Sequence, residues 1–191
     1  MNENQAKVRA SLLDAVLWFV GSVAGLAGVQ RIALIGSLLS ERPRPKDVDL
    51  VVYVADDADL APLAAAARRL KGRLQSQNRG ADVFLADEQR RYVGRTCSWR
   101  ICQPGVRVSC DALNCGRRPY LHDDLTTIRL DDSVIAAPLL ELWPVVVQRG
   151  PIPTDVEELV RRLQQPHNSA FDRPAGSHSL AAAGQRDRYA D

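Results

Sequence analysis

The chain has 191 residues, of which 46% are apolar and 25% are charged, and this size suits one globular domain with an appendage or tail. Its 25 basic and 23 acidic residues leave a net charge of +2, which excludes a disordered polyelectrolyte and gives no argument for a protein that coats nucleic acid. Four cysteines are too few for a disulfide scaffold. The longest apolar stretch, residues 15–29, is short for a membrane span and contains three glycines. We therefore expect a cytoplasmic protein without membrane contact.

Helical and extended patterns alternate along the first half of the chain. Apolar residues recur at steps of three and four from Val8 to Val23, which predicts an amphipathic first helix. A second helix is predicted after Asp56 and Asp57, which offer N-caps, with Pro62 in its first turn. The predicted helices are residues 4–28 and 58–75, and the predicted strands are residues 32–35, 48–54 and 81–86.

The second half is less regular. Two extended segments, 91–102 and 106–112, are predicted to form a hairpin that turns at Pro104-Gly105. Residues 133–148 mix apolar residues with prolines and predict a broken helix, whereas Thr154 to Glu157 match a capping box that opens a helix ending near Gln164. These patterns predict an α+β fold with a mixed sheet flanked by helices. The predicted organisation is a core at 1–115, a partly helical extension at 116–165 and a disordered tail at 166–191.

Two aspartates on the second predicted strand are the first candidate functional residues. Asp47 and Asp49 are two residues apart, so both side chains lie on one face of the strand. Adjacent carboxylates repel each other unless a cation lies between them, and Mg²⁺ suits such oxygen ligands. Asp82 opens the third predicted strand and would complete the cluster if the two strands are neighbours; Asp111 is the alternative third carboxylate. The competing interpretation is a solvated strand face.

A possible phosphate-binding turn follows the first predicted strand. Gly36 permits close backbone approach, and Ser37 and its neighbours can present hydroxyl and N–H groups to a phosphate. Arg42, Arg44 and Lys46 lie in the loop before Asp47 and offer cations beside the site. The alternatives are that Ser37 is only a turn residue and that the three cations form an ordinary basic loop.

The order Gly36-Ser37, Asp47-x-Asp49 and Asp82, each at a predicted strand, resembles the nucleotidyltransferase superfamily that includes DNA polymerase beta. More narrowly, it is similar to the small, stand-alone minimal nucleotidyltransferase domains of prokaryotes. The resemblance covers a little over half of the chain and implies the nucleotidyltransferase fold.

The resemblance also implies an enzyme that transfers a nucleoside monophosphate from an NTP, such as ATP, to a hydroxyl acceptor and releases pyrophosphate. Asp47 and Asp49 would bind two Mg²⁺ ions, Asp82 would bind one of them and help to deprotonate the acceptor, and Ser37 would contact the phosphates. The acceptor stays open between RNA, a small molecule and a partner protein, for example the toxin of a toxin–antitoxin pair. Residues 38–41 depart from the family pattern, which usually has Arg and Gly there, so Arg42, Arg44 and Lys46 would replace those phosphate contacts.

The four cysteines allow a second kind of site. Cys97, Cys102, Cys110 and Cys115 fall within nineteen residues, which suits a Cys₄ zinc site. In a regular hairpin, however, Cys97 and Cys102 face opposite sides of their strand, which favours buried thiols over zinc or disulfides. His122 lies in a polar segment and is interpreted as a surface residue. The alternative function is a non-catalytic binding or antitoxin module of the same fold, with a zinc-stabilised contact surface at residues 97–115.

Overall fold

The structure, a computed structural model, describes residues 3–42, 44–102, 118–123 and 130–165. The second predicted hairpin strand, Asp111, Cys110, Cys115 and the predicted tail lie outside these ranges. The helices are α1 (Glu3–Val23), α2 (Ala61–Gln75), α3 (Asp132–Ala136) and α4 (Thr154–Gln164). The strands are β1 (Val29–Ile35), β2 (Asp47–Val54), β3 (Gly80–Ala86), β4 (Tyr92–Thr96), β5 (Leu121–His122), β6 (Leu140–Trp143) and β7 (Val147–Gln148).

All seven described strands form one mixed sheet in the order β5-β4-β3-β2-β1-β6-β7. Only β2 and β3 are parallel, because α2 carries the chain back across the sheet between them; the other pairs are antiparallel. The fold is therefore α+β with a mixed sheet flanked by helices, as predicted. Strands β5 to β7 place the predicted extension in the same sheet as the first four strands.

One face of the sheet is covered by helices. Alternate residues of the central strands, such as Leu34, Leu50 and Val83, join one buried cluster with the apolar residues of α1, α2 and α4. Phe19 of α1 and Leu70 of α2 are fully buried in it. Because strand side chains alternate, the residues between these face the other side of the sheet. The odd-numbered aspartates of β2 therefore lie on the face opposite the three helices.

The residues that the structure describes cover the opposite face only in part. Val51, Tyr53 and Phe84 pack there in a smaller buried cluster with Ile135 of α3. The Tyr53 hydroxyl donates a hydrogen bond of 2.5 Å to the Ile135 carbonyl. Burial raises the pKa of Tyr53 to about 12. Glu141 of β6 is also buried on this side, where it accepts a 2.7 Å hydrogen bond from Arg149. Within the described part of the chain, this small cluster thus covers the centre of the face and does not include the N-terminal ends of β2 and β3.

The structure confirms the predicted elements of the first half and corrects several details. The first helix ends at Val23 instead of residue 28, because the glycines after it favour the turn that leads into β1. Asp59, not Asp56 or Asp57, precedes α2 and accepts a hydrogen bond from the Ala61 N–H at 2.9 Å. Pro62 lies in the first turn of α2, as predicted.

Two predictions for the second half are wrong. Residues 133–148 do not form a broken helix: after the single turn of α3 they form β6 and β7, because β1 offers an open edge that pairs with Leu140 to Trp143. The predicted capping box is not formed either. The helix α4 starts at Thr154 with Pro153 as N-cap and without a side-chain cap. Across the described residues, no helix is both long enough and apolar enough to cross a membrane.

Candidate functional site

The three aspartates predicted from the sequence are brought to one end of the sheet. In the parallel pair of β2 and β3, Asp47 is opposite Gly80 and Asp49 is opposite Asp82. Neighbouring strands are about 4.8 Å apart, so Asp49 and Asp82 are direct cross-strand neighbours on one face. Asp47 shares this face two residues earlier in β2. The carboxylate cluster is defined here as Asp47, Asp49 and Asp82.

Two glycines make room for the carboxylates of β2. Gly36 has a φ of 77°, and a Cβ added there would lie 2.2 Å from Asp49 Oδ2. A Cβ added to Gly80 would lie 2.5 Å from Asp47 Oδ1, and the Gly80 N–H donates to that oxygen at 3.0 Å. Because real Cβ contacts are never this short, a side chain at either glycine would displace a carboxylate. The two glycines therefore leave the space that these carboxylates occupy.

The carboxylates interact strongly. Burial, the negative charge of Asp82 and that of Asp47, in decreasing order, raise the pKa of Asp49 from 3.8 to about 6. These surroundings disfavour the charged form of Asp49, whereas a cation bound beside it would favour that form. The electrostatics of the cluster thus favour cation binding.

Asp82 already has a cationic partner. Arg95 of β4 binds Asp82 Oδ1 through Nη1 at 3.1 Å, and both side chains are partly exposed. Among the described residues, no group of three or more His, Cys, Asp or Glu side chains is arranged to hold a metal ion. The predicted three-carboxylate metal group is therefore not formed in this arrangement, in which Asp82 is turned to Arg95.

The two carboxylates of β2 still suit Mg²⁺. This ion commonly uses one or two carboxylates and completes its shell with water and substrate phosphates. Asp47 and Asp49 supply hard oxygen donors on one strand face, and both are partly accessible to solvent. Asp82 would join them more readily if Arg95 turned to a substrate phosphate, since Arg95 now binds Asp82 Oδ1.

The turn after β1 lies next to Asp49. Gly36 to Leu39 form one 3-10 turn, and Ile35 of β1 is the antiparallel partner of Asp49. Ser37 is partly exposed at the start of this turn. Leu38, the second residue after Gly36, is fully buried in the helix-covered core and so cannot contact a phosphate. Arg42, Arg44 and Lys46 are exposed in the loop that leads to β2.

A buried arginine that the sequence reasoning missed holds this turn. Arg9 of α1 is 3% exposed and donates hydrogen bonds to the carbonyls of Leu38 at 3.0 Å, Ser40 at 3.2 Å and Arg42 at 3.1 Å. It also binds both carboxylate oxygens of Asp155 in α4, at 2.5 Å and 3.0 Å. The signal in the sequence is its spacing: Arg9 precedes Leu12 and Leu13 by three and four residues, so it lies on the apolar face of the helix. A cation on an apolar helix face needs a buried partner.

The cysteine prediction is only partly within the described residues. Cys97 and Cys102 are both buried, and the Cys97 N–H donates to the Tyr120 carbonyl at 2.7 Å. Cys110 and Cys115 lie outside the described ranges, so the zinc site stays a prediction. His122 is in β5 and is partly buried, not in a free surface loop.

No protein-family model, curated protein or solved structure matches this chain. The resemblance to nucleotidyltransferases therefore depends on the aspartates of β2 and β3 and on the Gly36-Ser37 turn.

The raised pKa of Asp49 leads to a prediction about stability. The folded protein holds this proton up to a higher pH than the unfolded chain, so ionisation of Asp49 lowers the free energy of unfolding as the pH rises from about 4 to 6. Asp49→Asn removes this titration. Without metal, we expect the variant to gain about 1 to 2 kcal/mol over the parent protein between pH 4 and pH 7.5. Urea unfolding at both pH values measures the difference.

The control for this prediction is Asp56→Asn, which changes an exposed carboxylate in the loop after β2. We expect the stability of this variant relative to the parent protein to change less across the same interval than that of Asp49→Asn. An Asp49→Asn variant that tracks this control at both pH values would show that Asp49 ionises normally.

Proposed function

We propose that this protein is a Mg²⁺-dependent nucleotidyltransferase that transfers a nucleoside monophosphate from an NTP to a hydroxyl acceptor. The observation that carries the proposal is the parallel register of β2 and β3, which aligns Asp49 with Asp82 and leaves Asp47 on the same face. The glycines at positions 36 and 80 support it, because each leaves room for one carboxylate where any side chain would collide with it.

The reaction would be an in-line displacement. The acceptor oxygen forms a bond to the α-phosphorus of the NTP while the bond from that phosphorus to the bridging oxygen breaks, and pyrophosphate leaves with the bond electrons. The hydroxyl proton passes to a carboxylate, for which Asp82 is placed beside Asp49. Bound Mg²⁺ would neutralise charge on the phosphates and lower the pKa of the acceptor hydroxyl.

The protein residues have separate parts in this scheme. Asp47 and Asp49 would hold the metal, and the backbone N–H groups and hydroxyl of the Gly36-Ser37 turn would contact phosphate oxygens. Arg95 would exchange Asp82 for a phosphate oxygen when the nucleotide binds, since a guanidinium binds both anions well. Arg42, Arg44 and Lys46 are exposed cations in the loop before Asp47 and would contact the outer phosphates.

The test is independent of the acceptor at its first step. Thermal unfolding of the full chain is measured with Mg²⁺ and each NTP analogue that resists cleavage between the α- and β-phosphates. We expect at least one analogue to raise the melting temperature only when Mg²⁺ is present. The variant Asp47→Asn/Asp49→Asn should lose this shift, whereas Asp56→Asn/Asp57→Asn, which alters two exposed aspartates of the loop after β2, should keep it.

The second step measures pyrophosphate release from each NTP with RNA, DNA and small hydroxyl compounds as acceptors. We expect release with at least one acceptor and a loss on the order of 100-fold or more in Asp47→Asn/Asp49→Asn. Equal release by this variant and the parent protein would exclude the carboxylate cluster as the active site.

A non-catalytic module of the same fold is the second candidate function. The Asp82–Arg95 ion pair favours it, because a cation already neutralises the third carboxylate. In this case the protein would act by binding, as an antitoxin does, and residues 97–115 would provide the contact surface. A nucleotide-dependent thermal shift without pyrophosphate release, even after Arg95→Ala, would favour this module over the enzyme.

A further inference from the structure

A cavity of about 540 Å³ lies beside the carboxylate cluster, between α2, β3 and the segment that follows β4. We call it the β3-edge pocket and define it by Arg68, Lys71, Asp82, Arg95, Trp99 and Arg100, which are among its lining residues. The recorded pairs between β4 and β3 involve only Phe84 to Ala86, and the cavity lies beyond them, next to Ala81, Asp82 and Val83 of β3. Its volume is in the range of pockets that bind ligands of nucleotide size.

The charge of the pocket is strongly unbalanced. Four of its described lining residues are permanent cations, namely Arg68, Lys71, Arg95 and Arg100, and its single carboxylate is Asp82. Arg68 and Lys71 lie on one side of α2, three residues apart, and so present their charges to the same space. The whole chain has a net charge of only +2, so an excess of three basic residues at this pocket is a strong local concentration of positive charge. A ligand with several negative charges fits it best.

An aromatic ring accompanies the cations. Trp99 is 44% exposed at the pocket, although an indole of this size is usually buried. Arg68 fixes the local backbone, since its Nη1 donates to the Trp99 carbonyl at 2.8 Å and its guanidinium lies 5.8 Å from the Tyr120 ring centre. Aromatic rings interleaved with cations form the usual surface for single-stranded nucleic acid, on which bases stack while the phosphates bind the cations.

We propose that the β3-edge pocket binds the terminal one or two nucleotides of a single-stranded nucleic acid. The inference rests on the proposed function in one respect: bound there, the terminal hydroxyl would reach Asp82, which lines the pocket and neighbours Asp49. A pocket of this volume takes a strand end and not a long stretch, which agrees with the small net charge of the protein. Lys71 and Arg100 bind phosphates, and Trp99 stacks on a base.

The binding experiment uses the full chain without NTP or Mg²⁺, so its result does not depend on catalysis. Fluorescence anisotropy measures the affinity for labelled five-nucleotide RNA and DNA strands at several salt concentrations. We expect Trp99→Ala to weaken binding on the order of tenfold. Lys71→Gln should weaken binding and reduce the slope of log K against log salt by about 0.7, the value for one phosphate contact on a single strand.

The matched control is Arg69→Gln. Arg69 is exposed on α2, two residues before Lys71, and is not a lining residue of the pocket. The strand affinity of the Arg69→Gln variant, and the slope of log K against log salt, should equal those of the parent protein. Equal affinities for the parent protein and all three variants, or no binding of either strand, would overturn the proposal. Displacement of the strand by a polyglutamate peptide as effectively as by unlabelled strand would also overturn it, because the pocket would then recognise acidic protein segments.

The two proposals can fail separately. The protein could bind a strand through Lys71 and Trp99 and yet show no nucleotide-dependent thermal shift. This result would support the proposal for the pocket and exclude the proposal that the protein is a transferase. Pyrophosphate release by a protein that binds no strand would support the carboxylate cluster as the active site. It would exclude the proposal that the β3-edge pocket binds the acceptor strand.

Discussion

Arg9→Met is expected to lower the free energy of unfolding by about 3 to 5 kcal/mol, the usual cost of removing one partner of a buried ion pair. Methionine fills the space of the arginine stem but donates no hydrogen bond. Asp155 would lose both its contacts, and the carbonyls of Leu38, Ser40 and Arg42 would lose their donor. Since domains of this size are stable by only about 5 to 15 kcal/mol, the loss would be large.

Urea unfolding followed by circular dichroism measures this change. The control is Lys7→Met, on the same helix, because Lys7 forms only an exposed ion pair with Glu3 and its replacement should cost less than about 0.5 kcal/mol. Asp155→Asn should cost less than Arg9→Met, since Asp155 is partly exposed and three of the five Arg9 hydrogen bonds would remain. An Arg9→Met protein as stable as Lys7→Met would mean that Arg9 does not connect these elements.

Gly36→Ala is expected to reduce the proposed activity about 100-fold, with a stability loss of about 1 to 3 kcal/mol. Alanine disfavours the φ of 77° at this position, and its Cβ would lie 2.2 Å from Asp49 Oδ2. The carboxylate would have to move by an ångström or more, which separates it from Asp47 and from the metal that both would hold. Pyrophosphate release and the thermal shift with Mg²⁺ and nucleotide analogue both report this displacement.

Gly25→Ala is the matched control, because a Cβ added at Gly25 meets no atom within 4 Å. We expect it to keep the activity and the thermal shift of the parent protein. If Gly36→Ala also kept both, the position of the Asp49 carboxylate would not matter for function, and the carboxylate cluster would lose its main geometric support.

The elements that position the candidate site could be predicted because each has a strong local signal. The β-branched run around Asp47 and Asp49 specifies a strand, and Pro62 marks the start of α2. A strand, a helix and a second strand in sequence favour parallel neighbours. The prediction that Asp82 could approach Asp49 followed from this order, and the register of β2 and β3 agrees with it.

The other features depend on contacts between distant parts of the chain. Leu140 to Trp143 form a strand only because β1 offers them an edge, and the prolines around them suggested a broken helix instead. Arg95 binds Asp82 because of the antiparallel register of β3 and β4, which no local pattern specifies. Arg9 reaches across to Asp155 over a separation of 146 residues. Sequence periodicity indicated that α1 has a buried face, but not what the arginine on that face binds.

The central position of β1 has a consequence for how the protein is made. Its partner β2 ends at Val54, but its other partner, β6, ends at Trp143. A ribosome that adds 5 to 20 residues per second needs about 4 to 18 s to synthesise the chain from Val54 to Trp143. During this time one side of an apolar strand has unsatisfied main-chain groups, which recruit strands of other molecules. We therefore expect nascent chains of this protein to be prone to association until β6 has emerged and paired with β1.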